Sequence, residues 1–592
     1  MSVKTLNTGI FYRAALFGVF AVAVLCSPWL RGIGAGESRG EGDSGSRQSQ
    51  NSNVERPAAE NVQPSIWQPD NGDGTYKNPI IVADYSDPDV IRVGDDFYLT
   101  ASSFSCFPGL PILHSKDLVN WTIVGHAIDK HPVAEQFAKP FHGGGIWAPA
   151  IRYHNGEFFI FVGDPDNGVY MVKAKNPAGP WDPPVLVKKA KGWIDTCPFW
   201  DDDGQAYLVH AFAGSRARIK NILHINRMSA DGTSLLDEGK LVFDGNGTTY
   251  TTVEGPKLYK RNNYYYIMAP GGGVSRGYQI VFRSKDIYGP YESRIVMDQG
   301  STNVNGPHQG GWVETQTGEG WFVHFQEYVP YGRIVHLQPV KWVDDWPVMG
   351  EDVDGRGKGQ PVLTHAKPDV GQTGSRAIPL PIAVPQTSDE FDAPKLGLQW
   401  QWFANYKDEW TSLTDRPGFL SMAAVAAEQI APLTDHPNLL LQKFPSEQFI
   451  VTTQIDAARL EDGDRVGLVV AGRASAALQV EKTAGSLKII QTTSDTLQKP
   501  GPGPSPADRE RASATVPGPV VFLRVKVAPR GVCNFSYSSD GSQYADLGPP
   551  FTAVNDFWIG AKVGLFCDAA PGRRSAGHAD VDWFRFEPVS TK

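Results

Sequence analysis

A short pattern of polar and apolar positions recurs in the first half of the chain. A polar or glycine-containing turn is followed by two or three aromatic or β-branched residues, which is typical of a β-hairpin. Five such units follow one another at intervals of about 50 to 60 residues, with aromatic positions at Tyr98, Phe159, Tyr207, Tyr266 and Phe322. With no helical periodicity between them, the repeats predict a five-bladed β-propeller over residues 77–350. A generic β-sandwich with chance hairpins is the alternative interpretation.

The pattern changes after the last repeat. Five prolines make residues 351–385 a predicted linker. Over residues 386–590, short alternating segments such as Phe449–Ile455 and Val521–Val527 predict a β-sandwich, with Gly501–Pro506 as an exposed loop inside it. The chain is therefore predicted to be all-β, a five-bladed β-propeller followed by a β-sandwich.

Composition agrees with this fold class. The 592 residues include 62 Gly, 45 Pro and 16 Trp, which argues against a coiled coil or a helical bundle. The net charge is −9 and no run of five Lys or Arg occurs, so nucleic acid and anionic membrane surfaces are poor candidate partners. The cysteines show no zinc-binding spacing, and Cys533 and Cys567 are expected either to pair or to remain buried thiols.

The N-terminus has the layout of a secretory signal peptide. Positively charged residues precede an apolar run over residues 14–25, and this run is shorter than the roughly 20 residues that span a bilayer. Residues 1–30 are therefore predicted to direct export to the periplasm, the cell surface or the medium. An uncleaved membrane anchor and a lipid on Cys26 are the alternatives. Residues 31–70 have few apolar side chains and are predicted to be a flexible tether.

Three acidic residues lie just before repeated hairpins. Asp87 precedes the first, Asp195 the third and Glu254 the fourth, each beside apolar or aromatic residues and followed within three positions by Pro. Because a propeller gathers the starts of its blades around one axis, these carboxylates can converge in one site. The alternative is that Asp87 and Asp195 cap turns and that Glu254 is a surface acid.

Longer segments around these acids resemble glycoside hydrolase family 43. The four segments are Asn78–Tyr98, Gly145–Ile151, Ile194–Gly204 and Val253–Tyr259. A second set resembles the C-terminal, concanavalin-like sandwich of the xylosidase-type members, and consists of Asp389–Asp392, Leu396–Trp402 and Leu413–Gly418. The resemblance therefore covers both predicted domains, and it implies the same five-bladed propeller that the repeats predict.

The resemblance also implies an activity. It is that of an exo-acting glycosidase that releases a terminal pentose from xylan-derived oligosaccharides, so the expected partner is an oligosaccharide or polysaccharide such as xylan or arabinoxylan. β-Xylosidase is the first hypothesis, and α-L-arabinofuranosidase acting on arabinoxylan or arabinan is the second. A non-catalytic carbohydrate-binding protein is the alternative from another class. In similar enzymes the sandwich closes one side of the pocket, which favours exo action.

Matched position by position, the resemblance makes Asp87 the general base, Glu254 the general acid and Asp195 the residue that tunes and orients the acid. These residue types suit inverting hydrolysis, in which one carboxylate activates water and a protonated one donates to the leaving oxygen. A neighbouring anion raises the pKa of the acid by like-charge repulsion. Inversion without a covalent sugar intermediate is expected.

Four further residues are candidates for the site. Trp147 and Phe107 are predicted to form aromatic walls for the sugar ring, with core packing as the alternative for each. Arg333 matches an arginine that contacts sugar hydroxyls near the acids in similar enzymes. His308 matches a histidine that binds a central calcium ion or water cluster in some relatives, and the alternative is a hydrogen-bonded core histidine. No cofactor is expected to be required, and a structural or activating calcium ion is left open.

Overall fold

The computed structural model describes residues 66–371, 380–426, 432–499 and 507–589. Within these residues the chain forms a five-bladed β-propeller followed by a two-sheet β-sandwich, with only one short α-helix. The predicted fold class is confirmed.

Several sequence predictions fall elsewhere in the chain. The signal segment (1–30), most of the tether (31–70), Cys26 and the loop Gly501–Pro506 lie outside the described residues. Within the described part, no helix is long and apolar enough to cross a membrane.

Each propeller blade is a four-stranded antiparallel sheet built from consecutive strands. A short strand, β1 (Thr75–Lys77), precedes the blades. Helix α1 (Gly214–Ala217) lies between the second and third strands of the third blade. The strands of the five blades are, in chain order, β2 (Asp89–Val93), β3 (Asp96–Thr100), β4 (Gly109–Ser115), β5 (Thr122–Ile128), β6 (Pro149–His154), β7 (Glu157–Asp164), β8 (Gly168–Ala174), β9 (Val185–Lys189), β10 (Trp193–Trp200), β11 (Ala206–Phe212), β12 (Ile222–Met228), β13 (Lys240–Asp244), β14 (Lys257–Arg261), β15 (Tyr264–Gly271), β16 (Tyr278–Ser284), β17 (Glu292–Met297), β18 (His308–Glu314), β19 (Gly320–Tyr328), β20 (Gly332–Val343) and β21 (Trp346–Met349).

The recurring sequence pattern corresponds to the hairpin that joins the first and second strands of each blade. In the second blade, Asn155 and Gly156 connect β6 to β7 with φ angles of 48° and 84°. Positive φ at both turn positions is the type I′ geometry, which matches the twist of the strands it joins. The repeated aromatic residue lies on the second strand in every blade. At four of the five junctions the first strands of neighbouring blades contact one another, and at the remaining junction β18 contacts β15, so the loops that precede the first strands are brought together.

Two segments outside the blades close the propeller. Ile81, before the first blade, exchanges backbone hydrogen bonds with Val335 of the fifth blade, at 3.3 and 2.9 Å. Strand β22 (Thr364–Ala366) then returns to pair with β1. Near the end of the linker, the Ala383 N–H donates to the Asn120 side chain at 3.0 Å. Directly after the linker, the Gln386 side chain accepts from the Ile123 N–H at 3.0 Å and donates to its carbonyl at 3.1 Å. The linker is therefore attached to the first blade and acts as a strap.

The C-terminal domain packs two antiparallel sheets face to face around an apolar core that includes Leu440, Val451 and Phe584. Seven strands form one sheet: β23 (Gln401–Trp402), β26 (Leu440–Lys443), β28 (Arg465–Ala471), β29 (Ser475–Thr483), β30 (Ser486–Thr493), β31 (Arg509–Thr515) and β36 (Lys562–Asp568). Eight strands form the other: β24 (Thr411–Ser412), β25 (Leu420–Ala423), β27 (Phe449–Asp456), β32 (Val520–Ala528), β33 (Val532–Ser538), β34 (Ala545–Asp546), β35 (Phe551–Thr552) and β37 (His578–Glu587). Single 3₁₀ turns lie at Asp408–Trp410, Leu433–Asp435 and Pro529–Gly531.

Cys533 and Cys567 are buried free thiols. They belong to different sheets, Cys533 to β33 and Cys567 to β36. The buried-thiol alternative is therefore the correct one for this pair.

Contacts between the two domains fix the sandwich against the propeller. Phe107 and Trp402 exchange backbone hydrogen bonds at 2.9 and 2.6 Å. The buried His142 ring lies 2.9 Å from the Asp556 carboxylate of the sandwich. This second contact holds the loop that continues to Trp558, so a loop of the sandwich is placed beside the starts of the blades.

Candidate active site

A cavity of about 530 Å³ lies where the first strands of the blades begin. Its lining includes Asp87, Asp195 and Glu254, together with Trp147, Arg333 and, from the sandwich, Trp558. The structure thus brings together three acids that are far apart in the sequence. A larger cavity of about 820 Å³ lies between the strap and the two domains, but none of these acids lines it. Carboxylate chemistry is therefore assigned to the smaller cavity.

Asp87 lies at the start of the first blade, where two hydrogen bonds hold its carboxylate. Its side chain is buried, and the Arg333 Nη1 donates to Oδ1 at 2.7 Å while the Ser102 hydroxyl donates to Oδ2 at 2.6 Å. The Arg333 backbone N–H in turn donates to Asp84 Oδ1 at 2.7 Å, which joins the loop of the first blade to the fifth blade. Charge-assisted bonds to both oxygens fix the orientation of this carboxylate.

Asp195 lies at the start of the third blade, next to Glu254. Its Oδ2 accepts from the Gly255 N–H at 2.8 Å and from the Gln309 side-chain amide at 3.4 Å. Burial, and then the negative charge of Asp87, raise the pKa of Asp195 to about 6. Since Gly255 directly follows Glu254, Asp195 is bonded to the backbone that carries the next acid.

Glu254 has the properties that a general acid needs. Burial, and then the charge of Asp195, raise its pKa to about 8, with the positive charge of Arg333 acting in the opposite direction. Glu254 is therefore protonated near neutral pH and can donate a proton. One cavity therefore holds a proton donor, Glu254, and a carboxylate paired with Arg333, Asp87. Acid–base hydrolysis requires one group of each kind.

Backbone strain is concentrated around this cavity. Eight non-glycine lining residues have positive φ, between 32° and 70°, in a region that side chains with a Cβ seldom occupy. They are Asp87, Phe104, Asp195, Arg218, Asn221, Thr252, Gln309 and Trp558. Such conformations cost about 1–3 kcal/mol each and persist where the surroundings enforce them, typically at functional sites.

Aromatic side chains form the walls of the cavity. Trp147 lines the cavity as predicted. Its indole N–H donates to the Gly143 carbonyl at 3.2 Å, and the centres of the Trp147 and Trp558 rings lie 6.4 Å apart. For Phe107, in contrast, the prediction of an aromatic wall is wrong, and the core-packing alternative is correct. Phe107 is fully buried beside Phe137 and does not line the cavity, and its backbone pairs with Trp402 of the sandwich. Phe104, three residues earlier, lines the cavity instead.

His308 lies beside the acid, and no cluster of metal-binding side chains surrounds it among the described residues. Its Nε2 is 3.6 Å from Glu254 Oε1, and the buried ring has no hydrogen-bond partner in the described part of the chain. Burial lowers the pKa of His308 to about 3, so the ring is neutral. Calcium prefers six to eight oxygen ligands. Among the described residues, no group of three or more His, Cys, Asp or Glu could hold a metal.

We therefore expect activity to survive exhaustive chelation with EDTA, measured as kcat/KM before and after dialysis. Loss of activity that returns on adding Ca²⁺, and not on adding Mg²⁺, would make His308 part of a calcium site after all.

Several residues of the site, two that line the cavity and one that bonds Asp87, escaped the sequence prediction. Gln309 is adjacent to His308 and could have been found from its motif. Ser102, which bonds Asp87, has no signal of its own in the sequence. Trp558 belongs to a loop of the sandwich, and only the packing of the two domains brings it to the cavity.

The raised pKa of Glu254 leads to a prediction about pH. We expect kcat/KM to fall as the pH rises through about 8, because Glu254 loses its proton there. Replacing Asp195 by Asn removes a neighbouring negative charge, so the alkaline limb of the pH profile should move to lower pH by about one unit. The matched control is Asp244→Asn, on the outermost strand of the same blade. An alkaline limb that stays in place in Asp195→Asn contradicts the assignment.

Comparison with known proteins agrees with both domains. The family model described as "Glycosyl hydrolases family 43" matches residues 76–347, and "Beta xylosidase C-terminal Concanavalin A-like domain" matches residues 388–587. A Xylanibacter ruminicola protein named "Putative beta-xylosidase" is 40% identical over 88% of this chain and 91% of its own length. A non-reducing end alpha-L-arabinofuranosidase of Bacteroides ovatus is 32% identical over 67% of this chain and 73% of its own. The crystal structure of a xylan beta-1,4-xylosidase from Bacillus halodurans superposes with a TM-score of 0.73 at 26% identity, covering 86% of this chain and 99% of that one.

Proposed function

The chain belongs to glycosyl hydrolases family 43 and is a glycosidase, and from this premise we propose that it is an exo-acting, inverting β-xylosidase that releases terminal xylose from xylan-derived oligosaccharides. The observation that carries the proposal is the convergence of Asp87, Asp195 and Glu254 in one cavity, with Glu254 protonated near neutral pH. Its substrate is a carbohydrate. The proposal concerns three properties of the reaction: the anomeric configuration of the product, the sugar that is released and the position of the cleaved bond.

In the proposed mechanism, Asp87 removes a proton from a water molecule that attacks the anomeric carbon. Glu254 donates its proton to the glycosidic oxygen as the bond to the leaving sugar breaks. Asp195 acts on the acid through its charge and through its bond to the Gly255 N–H. Arg333, bonded to Asp87 and lining the cavity, is positioned to contact sugar hydroxyls. A bond forms between the anomeric carbon and the water oxygen as the bond to the glycosidic oxygen breaks. Asp87 ends protonated and Glu254 ends as the carboxylate, so Asp87 must release a proton and Glu254 must take one up before the next turnover.

Exo action is supported by the position of the sandwich. Trp558 lines the cavity beside Trp147, and the Ser86 hydroxyl donates to its carbonyl at 3.3 Å. The loop that carries Trp558 is also held by the contact between His142 and Asp556. A wall from a second domain suits a pocket for a chain end better than an open cleft.

An α-L-arabinofuranosidase is the second candidate. One relative of this chain carries that name, and the lining residues contain no feature that excludes a furanose ring. The substrate would then be arabinoxylan or arabinan.

The proposal is tested by substrate choice and by stereochemistry. We expect kcat/KM for p-nitrophenyl β-D-xyloside to exceed that for p-nitrophenyl α-L-arabinofuranoside. With xylotetraose, ¹H NMR should show α-xylose as the first-formed anomer, together with xylotriose. A β-anomer formed first would make Asp87 a nucleophile, and early release of xylobiose would contradict exo action. Higher kcat/KM on the arabinofuranoside would favour the second candidate.

Export is a further part of the proposal. It is supported by the positively charged and apolar N-terminal pattern and by the polymeric origin of the substrate. Periplasm, cell surface and medium remain the proposed compartments, which cell fractionation with and without residues 1–30 distinguishes from the cytoplasm.

A further inference from the structure

One wall of the cavity is a short basic segment, residues 214–221, which connects β11 to β12 of the third blade. Arg218 and Lys220 of this segment both line the cavity and are exposed to solvent. Neither side chain has an ion-pair or hydrogen-bond partner among the described residues. Their neighbour Arg216 differs, because it pairs with Asp166 at 3.4 Å and lies over the Trp147 ring. Arg216 therefore has a structural role, whereas Arg218 and Lys220 present uncompensated charge to the cavity.

The backbone holds this basic segment in a defined position. Arg218 and Asn221 have φ angles of 62° and 63°, in the left-handed region. The Asn221 side chain accepts from the Val253 N–H at 2.8 Å and donates to the Tyr250 carbonyl at 3.1 Å. These bonds attach the segment to the chain immediately before Glu254. The aliphatic stem of Lys220 lies against Gly214, where an added Cβ would be 3.3 Å from it.

The position of the basic segment relative to Glu254 identifies the part of the substrate that the segment faces. A general acid protonates the oxygen of the leaving group, so groups beside it face the sugar on the leaving side. Lys220 is close enough to Glu254 for its positive charge to lower the pKa of that acid. Among the described residues that line the cavity, the only acids are Asp87, Asp195 and Glu254. The leaving-group side thus carries positive charge that no neighbouring carboxylate neutralises.

We propose that Arg218 and Lys220 bind a carboxylate on the leaving-group side, so that the enzyme prefers xylo-oligosaccharides in which the xylose next to the cleaved bond carries a uronic acid. A guanidinium binds a carboxylate through two parallel hydrogen bonds, and an ammonium adds a compact charge. This inference rests on the proposed function, because it concerns the aglycone of the same site.

The test compares two substrates that differ only in charge. One is xylobiose whose reducing-end xylose carries an α-1,2-linked glucuronic acid, and the other is its carboxyl-reduced counterpart, which carries glucose. We expect kcat/KM to be roughly fivefold or more higher for the acidic substrate, the size expected of partly exposed charge pairs. This preference should shrink when the ionic strength rises from about 0.01 M to about 0.5 M, because salt screens exposed charges.

Variants distinguish the effect of the Arg218 and Lys220 charges on substrate preference from general changes in activity. The acidic-to-neutral ratio should fall in Arg218→Gln and in Lys220→Gln, and approach one in the double variant. Lys341→Gln, an exposed lysine on β20 that does not line the cavity, is the matched control and should keep the full ratio. A ratio of one in the wild type, or a ratio that persists in the double variant, overturns the inference. Turnover of neither substrate, nor of xylobiose, would instead count against the proposed function.

Discussion

Replacing Glu254 by Gln should lower kcat for xylobiose by about 10³-fold, because general acid catalysis contributes roughly 10²–10⁴-fold and the sugar alkoxide is a poor leaving group without a proton. Gln has the same shape as protonated Glu but cannot donate a proton to the glycosidic oxygen. The loss should be much smaller for p-nitrophenyl β-D-xyloside, since nitrophenolate leaves without protonation. The fall of activity above pH about 8 should also disappear, because Glu254 is the group that titrates there.

Steady-state kinetics with both substrates test this prediction. Glu238→Gln removes an exposed carboxylate that does not line the cavity and serves as the matched control, with kinetics close to the wild type expected. Equal losses on xylobiose and on the nitrophenyl substrate would show that Glu254 does not act on the leaving group. An alkaline limb that persists in Glu254→Gln would assign that titration to another residue.

Replacing Asp87 by Asn should abolish turnover of both substrates, with a loss of about 10⁴-fold, the upper range for a general base. Water must be deprotonated whatever the leaving group is, so an activated aglycone cannot compensate. Azide needs no deprotonation, and it should therefore restore turnover of p-nitrophenyl β-D-xyloside in the Asn variant. The product should be the glycosyl azide with inverted configuration.

The Asn variant also loses one side of a buried ion pair, because Arg333 Nη1 donates to Asp87 Oδ1 at 2.7 Å. Thermal unfolding of the variant and of the wild type separates loss of fold from loss of chemistry. A folded Asp87→Asn protein that keeps substantial activity on xylobiose would contradict the role of base. Restoration by azide with a retained configuration would instead indicate two successive displacements through a covalent sugar intermediate on another residue, and would contradict inversion with Asp87 as the base.

The sequence predicted the architecture because both domains are built from local signals. Type I′ turns such as Asn155–Gly156 require residues that tolerate positive φ, and the aromatic residues that follow them are strand formers. Each repeat therefore predicts one hairpin, and the number of repeats predicts the number of blades. The switch to alternating segments after the strap identified the sandwich in the same way.

The candidate site was predictable only in part. Asp87, Asp195 and Glu254 could be chosen because each lies at the start of a blade, and the propeller brings those starts together. Phe107 and Phe104 could not be told apart from the sequence, since both lie in one loop and only the tertiary structure shows that Phe107 is buried and that Phe104 lines the cavity. Ser102 and Trp558 carry no local signal for their positions in the site.

By itself, the sequence determined the strands, the turns and the order of the domains, and it named the three acids as candidates, because these depend on local backbone preferences and on side-chain type. Only the tertiary structure decided which residues surround the acids and how their charge states differ. Burial and the nearby charge of Asp195 raise the pKa of Glu254, and both come from residues remote in the sequence. The same packing brings Trp558 of the sandwich and the unpaired charges of Arg218 and Lys220 into one cavity. Desolvation and Coulomb interactions depend on distances in space, and the fold alone sets those distances.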